Sequence, residues 1–234
     1  MGLEQAIVLV GGRGTRLQSV VSDVPKPLAD VAGRPFLGLL LDRLVANGIG
    51  RIVLASGYMA DKVEAAIGAR WNGVEVVHRV ESTPLGTGGA VHNALSGCEP
   101  GIGVHVLNGD TWLEYSPKAL ADATASQQAA IGIALAHVED VGRYGAVRLQ
   151  GQRVIGFEEK GGHGPGHINA GCYYLSPAAL ARLQQPAPFS FETEVLVPAC
   201  EAGQVIGHTE TSGFIDIGVP EDYFRAQTLF ALRG

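Results

Sequence analysis

Glycines, arginines and a threonine stand together in Gly11-Gly12-Arg13-Gly14-Thr15-Arg16, directly after the apolar run Ala6-Ile7-Val8-Leu9-Val10, and Pro25-Lys26-Pro27 follows shortly after. Glycines lack a Cβ, so their N–H groups can close on an anion, while arginines add charge-assisted donors. Residues of these types in this order can cradle a phosphate. Two familiar cradles are excluded by spacing. A P-loop requires Gly-x-x-x-x-Gly-Lys-Ser/Thr, and here Leu17 follows Arg16 with no lysine before Lys26. A dinucleotide fingerprint requires glycine where Leu17 stands in Gly12-Arg13-Gly14-Thr15-Arg16-Leu17.

Two acids have the setting of metal ligands. Asp110 ends the segment Leu107-Asn108-Gly109-Asp110, where a glycine lets the chain turn, and Asp216 lies among apolar neighbours in Phe214-Ile215-Asp216-Ile217-Gly218. A lone aspartate after a strand is more often a helix cap. Two of them in a chain with a phosphate cradle suit Mg²⁺, which takes one or two carboxylates together with substrate phosphates. The chain's lysines are only Lys26, Lys62, Lys118 and Lys160, and both Lys26 and Lys160 fall inside motif-like segments. The histidines show no metal-ligand spacing.

The pair Gly-Gly-x-Gly-Thr-Arg-Leu and Pro-Lys-Pro resembles the signature of the sugar-1-phosphate nucleotidylyltransferases. The resemblance runs from Ala6 to about Ala226 and implies an enzyme of the nucleotidyltransferase class. It implies that Gly11, Gly12, Arg13, Gly14, Thr15, Arg16 and Lys26 bind the nucleotide, with Arg16, Lys26 and Asp110 catalytic. By the same resemblance Asp110 and Asp216 hold Mg²⁺, and Tyr144, Gly145, Glu159, Lys160 and Asn169 hold the sugar phosphate. The segment Glu81 to Gly89, which includes Gly86, looks like the family's base-recognition loop. A carboxylate only accepts hydrogen bonds, and guanine presents adjacent N1–H and N2–H₂ donors, so Glu81 leans toward GTP. A glutamate there could also bind ribose or cap the following helix. Arg143-Tyr144-Gly145, Ile168-Asn169-Ala170-Gly171, Phe189-Ser190-Phe191-Glu192 and the Asp216 segment are most similar to the D-glycero-α-D-manno-heptose 1-phosphate guanylyltransferases within the family. The implied reaction is GMP transfer to that sugar phosphate with release of pyrophosphate. Uridylyl or thymidylyl transfer, mannose 1-phosphate as acceptor, and a non-catalytic regulatory module are the alternatives.

These residues need a scaffold, and the pattern around them supplies one. Ala6 to Val10 reads as a strand buried on both faces. Helical spacing over Phe36 to Val45, with Pro35 in the first turn, precedes a strand at Ile52 to Ala55, a helix at Ala60 to Ile67 and a strand at Val74 to Val80. A helix at Gly88 to Leu95 and a strand at Val104 to Leu107 follow. This alternation predicts a Rossmann-like α/β fold with a mixed, mainly parallel sheet and helices on both faces. Ligands bind beyond the carboxyl ends of such strands, where Gly11, Glu81 and Asp110 would emerge into one cleft. Ala130 to Val138, Gly145 to Leu149, Val154 to Glu158 and Ile168 to Leu175 read as antiparallel additions, and Glu192 to Glu201 and Glu221 to Leu232 as helices. The loop Gly161 to Gly166 reads either as a loose connector or as a cover over the sugar.

The 234 residues, 46% hydrophobic and 17% charged, suit a single folded domain spanning 1–234, with no linker to divide it. A net charge of −6 argues against a nucleic-acid surface. No apolar run is long enough to span a membrane and no secretory leader is evident, which together with unpaired Cys98, Cys172 and Cys200 points to the cytoplasm. The cysteines read as small buried hydrophobes. Oligomeric state is not encoded in any recognisable pattern.

Overall fold

The computed structural model describes residues 3–12, 14, 16, 17, 20, 21, 23–183 and 188–232. Strand β1 (Glu4–Leu9) lies at the heart of the main sheet, with Ala6, Ile7 and Val8 fully buried because helices cover both its faces. A 3₁₀ turn at Lys26–Leu28 and a short hairpin, β2 (Asp30–Val31) and β3 (Arg34–Pro35), lead into α1 (Phe36–Ala46). Pro35 stands just before this helix rather than within its first turn, because its ψ of 131° is extended and it pairs with Asp30. Then come β4 (Ile49–Ser56), α2 (Ala60–Ile67), β5 (Arg70–Trp71), β6 (Val74–Val80), α3 (Gly86–Ala94) and β7 (Val104–Asn108).

The chain continues through β8 (Thr111–Glu114), α4 (Pro117–Ser126), β9 (Ile131–Val138), β10 (Val147–Gln150), β11 (Arg153–Phe157) and β12 (Gly166–Leu175). It closes with α5 (Pro177–Leu180), a π-helical turn at Glu192–Leu196, α6 (Val197–Glu201), β13 (Val205–His208), β14 (Ser212–Asp216) and α7 (Pro220–Ala231). Helix α4, absent from the sequence reading, has an ordinary start signal: the Ser116 hydroxyl accepts from the Ala119 N–H, and proline follows at the first helical position.

The main sheet has ten strands in the order β10-β11-β13-β9-β12-β7-β1-β4-β6-β5. The block β7-β1-β4-β6 is parallel, and β12 runs antiparallel between β7 and β9. The expected extension of the sheet is therefore present. Strand β13 enters between β9 and β11, parallel to the former and antiparallel to the latter. Leu37, Leu40, Leu41 and Leu44 of α1, Val63 and Ile67 of α2 and Leu120 of α4 pack on one face of the sheet. Val91 and Ala94 of α3, Ala179 of α5 and Cys200 of α6 pack on the other. A smaller cluster joins Leu17, Phe36, Trp112, Ile215, Ala226 and Phe230, seating α7 against the small sheet formed by β8 and β14. Cys172 and Cys200 are buried and Cys98 is half-buried, all three as free thiols, and burial pushes the Cys98 and Cys172 thiols up to about 11 and about 12. Among the described residues no helix is long and apolar enough to cross a membrane.

Candidate active site

The carboxyl ends of β1, β4, β6 and β7 open into one cleft of about 790 Å³. Gly11, Gly12, Gly14, Arg16, Lys26, Glu81, Gly86 and Asp110 all line it, as do Gly57, Thr87 and Gly218. Backbone bonds lock the loops at its floor: Val10 N–H to Ala55 O at 2.8 Å, Gly109 N–H to Leu9 O at 2.9 Å and Glu81 N–H to Ser56 O at 2.8 Å. Arg13 and Thr15 lie outside the described residues.

Glu81 follows β6 and folds back beneath α3. Its Oε2 accepts from the Leu85 N–H at 3.2 Å, a negative charge at the helix N-terminus, while Oε1 lies against Gly11 and Gly57. The capping role open to this residue is thus occupied by one oxygen.

Asp110 and Asp216 are brought together by the small sheet, in which Asp216 of β14 stands opposite Thr111 of β8, and by the Ile217 N–H donating to Asp110 O at 3.0 Å. Both carboxylates converge on Lys26: its Nζ donates to Asp110 Oδ2 and lies 3.9 Å from Asp216 Oδ1. The Gly218 N–H also donates to Asp216 Oδ1, at 2.8 Å. Arg143 approaches Asp216 Oδ2 at 3.3 Å and donates to Asp222, a buried acid in the first turn of α7 that Arg225 also meets at 3.1 Å. Burial works against the charge of Arg143, but Asp222, Tyr144 and Asp216 together outweigh it and hold the guanidinium above its usual pKa. Arg143 also stacks over the Tyr144 ring at 4.9 Å.

A second cavity of about 190 Å³ lies beyond this network, lined by Tyr144, Gly145, Phe157, Glu158, Asn169, Glu192 and Thr193 among others. Asn169 is oriented by a bulge in β12: its side-chain amide donates to the Tyr173 hydroxyl at 2.8 Å and its carbonyl accepts from the Gly171 N–H at 3.0 Å. Gly145 and Asn169 are therefore together. Glu159 and Lys160 are exposed at the start of the glycine-rich loop and line neither cavity; it is Glu158 that does. The loop itself is joined to the neighbouring turn by the Gly161 N–H to Gly142 O at 2.8 Å and the Val141 N–H to Gly164 O at 3.0 Å.

Sequence reasoning held Thr87, Arg143, Glu192 and Asp222 within motifs but assigned none of them a task. The π-helical turn opening at Glu192 is a recurrent mark of functional positions, but it has no local sequence signature. In the sequence Gly86 is legible as part of the base-recognition loop and Gly88 as the start of a helix, but what either lies against is not. In the structure a Cβ on Gly88 would meet the Phe189 ring at 2.2 Å and one on Gly86 would meet Phe189 O at 2.4 Å, so both are required by the approach of the segment that carries Glu192.

The architecture agrees with that of other chains. The model of the nucleotidyl transferase family matches residues 5–231. The D-glycero-alpha-D-manno-heptose 1-phosphate guanylyltransferase of Aneurinibacillus thermoaerophilus is 37% identical over 223 residues, 95% of this chain and 96% of that one. That of Campylobacter jejuni is 36% identical over 221 residues, 94% and 97% of the two chains. The crystal structure of HddC from Yersinia pseudotuberculosis complexed with GMP-PN superposes with a TM-score of 0.84 at 37% identity, covering 97% of this chain and all of the other. With the family model spanning nearly its whole length and near-full-length relatives above 35% identity, the chain belongs to the nucleotidyl transferase family.

Proposed function

We propose that the protein transfers GMP from GTP to D-glycero-α-D-manno-heptose 1-phosphate and releases pyrophosphate, its 1–234 chain acting as one domain in the cytoplasm. The observation that carries this reading is the convergence of the glycine turn, Glu81 and the Lys26–Asp110–Asp216 cluster in one cleft beside a smaller cavity lined by Gly145 and Asn169. The choice of guanine and heptose is supported by the relatives and by the carboxylate at position 81.

The chemistry needs little covalent help. A sugar-phosphate oxygen is already anionic; it attacks the α-phosphorus in line, the bond from that phosphorus to the β-bridging oxygen breaks, and pyrophosphate leaves with the electron pair. Positioning and charge neutralisation supply the rate. The N–H groups of Gly11, Gly12 and Gly14 with Arg16 hold the leaving group, Lys26 offsets charge at the reacting phosphates, and Glu81 accepts from the guanine edge. Asn169 and Gly145 receive the sugar, and Lys160 reaches its phosphate from the rim.

The two aspartates fit a divalent metal. Their oxygens already face one cation, and among the described residues no third His, Cys, Asp or Glu completes a protein-only cluster. That donor set leaves coordination places for phosphate and water, which suits Mg²⁺. Such an ion offsets the phosphate charge that develops during transfer. The test is a grid of ribonucleotides and TTP against heptose, mannose and glucose 1-phosphates, read by pyrophosphate release. GTP with the heptose phosphate is expected to give the highest kcat/KM; preference for UTP or TTP would defeat the guanylyl reading.

A further inference from the structure

We propose that Lys26 is the built-in counter-ion of the Asp110–Asp216 pair, and that it gives up the pair to the metal when a nucleoside triphosphate draws its ammonium away. The inference rests on the metal reading above and adds to it a rule for when the metal enters.

The path of the Lys26 side chain is constructed at both ends. A Cβ on Gly14 would stand 2.8 Å from Lys26 Cβ, and one on Gly218 would stand 2.9 Å from Lys26 Nζ, so glycines from two distant motifs clear its stem and its head. Pro25 and Pro27 flank it, and the 3₁₀ turn at Lys26–Leu28 fixes its backbone, with the Ala29 N–H donating to Lys26 O at 3.0 Å. Its side chain is only 10% exposed. Two carboxylates that reach the same ammonium repel each other, and the cation between them offsets that repulsion.

The same contact sets up a competition. Asp110 Oδ2 accepts from the Lys26 ammonium, and a metal ion held by Asp110 and Asp216 would draw on the same carboxylate. Asp216 does not depend on the outcome, being held by the Gly218 N–H at 2.8 Å and by Arg143 at 3.3 Å. Lys26 also lines the cleft shared with Gly11, Gly12, Gly14 and Arg16. A triphosphate seated there offers the ammonium a more strongly charged partner, and Asp110 is freed while Asp216 stays in place. Nucleotide and metal then favour each other's binding, and by linkage the effect is reciprocal.

The test measures Mn²⁺ binding by electron paramagnetic resonance on the metal-free full-length protein. Wild type, Lys26→Met, Lys26→Arg and Asp110→Asn are compared with and without a non-hydrolysable GTP analogue, with melting curves to verify folding and Lys26→Gln as the substitute if the Met variant does not fold. Without nucleotide, Lys26→Met is expected to bind Mn²⁺ roughly tenfold more tightly than wild type, and Lys26→Arg like wild type. The analogue should tighten Mn²⁺ binding less in Lys26→Met than in wild type. Mn²⁺ affinity in folded Lys26→Met equal to or below that of wild type overturns the exchange. Asp110→Asn separates the two levels: if it binds Mn²⁺ like wild type the metal reading itself fails, whereas its loss of Mn²⁺ combined with no gain in Lys26→Met defeats the exchange alone.

Discussion

Thr87 Oγ1 donates a 2.7 Å hydrogen bond to Glu192 Oε2 across 105 residues of sequence. Thr87 lines the larger cleft and Glu192 the smaller cavity, so this bond is a joint between the two. The Phe191 N–H returns to Thr87 Oγ1 at 2.9 Å, and the Ser190 hydroxyl shares Glu192 Oε2 at 3.2 Å. Thr87→Val keeps the shape and removes the donor. A lost hydrogen bond to a charged group is worth about 1.5 to 3 kcal/mol, so the KM for sugar 1-phosphate should rise roughly tenfold at saturating GTP. An unchanged KM would mean that the joint does not orient the sugar cavity.

Asp110→Asn keeps the side-chain shape and removes the charge that faces Lys26. If the carboxylate holds a divalent cation at the reacting phosphates, turnover should fall by about two orders of magnitude or more with the fold intact, and EDTA should mimic the loss. Near-normal, EDTA-resistant turnover in this variant would sink the assignment.

Lys26 and Lys160 occupy different settings, one enclosed beside the two aspartates and the other exposed on the rim of the glycine-rich loop. Lys26→Ala should therefore depress kcat, and Lys160→Ala should chiefly raise the KM for sugar 1-phosphate. Steady-state kinetics with the two substrates varied in turn makes the comparison. Indistinguishable profiles would refute the division.

Glu81→Gln tests base choice. A uracil carbonyl set against the carboxylate leaves acceptor facing acceptor, at a cost of about 1 to 3 kcal/mol, or on the order of tenfold to a hundredfold in kcat/KM. Glutamine can turn a donor or an acceptor to the base, so the GTP preference should narrow. Because Glu81 Oε2 also caps Leu85, the variant's melting temperature should be measured alongside. An undiminished GTP preference would move recognition elsewhere in the loop from Glu81 to Gly89.

Asp42 ties α1 to Arg34 of β3, from which it accepts at 2.5 Å, and to the β5–β6 edge, accepting from Trp71 Nε1 at 2.8 Å and Asn72 at 2.7 Å. Burial raises its pKa, but these donors outweigh burial and hold it below its usual value of 3.8. A depressed carboxyl pKa contributes stability that is present above the unfolded value and lost as the pH falls through the folded one. The stability gap between wild type and Asp42→Asn in urea should be full at pH 7 and shrink below about pH 4. A gap of equal size at pH 7 and pH 3 would contradict this.

Local pattern alone was enough for much of the scaffold. Helix Ala60–Ile67 and strand Val74–Val80 coincide with the segments read from apolar periodicity, because each buries a face against a flat neighbour and short-range spacing reports which face that is. The gathering of Gly11, Glu81 and Asp110 in one cleft was legible too, since all three follow strands of a parallel block and must emerge at the same edge.

Neighbours are another matter. Periodicity says that a side chain is buried and not against what, so the insertion of β13 between β9 and β11 could not be read from Val205 to His208. The meeting of Asp110 with Asp216 depends on β8 pairing with β14, and the placing of Lys26 between them depends on glycines at 14 and 218. The orientation of Asn169 depends on a bulge, and the Thr87–Glu192 joint on the docking of Phe189 against Gly88. The sequence by itself determined which residue types are available for phosphate, metal and base, because those are chemical properties of single side chains at short spacing. Tertiary structure alone decided which of them face one another, because those contacts join residues far apart in the chain and form only when the sheet closes around them.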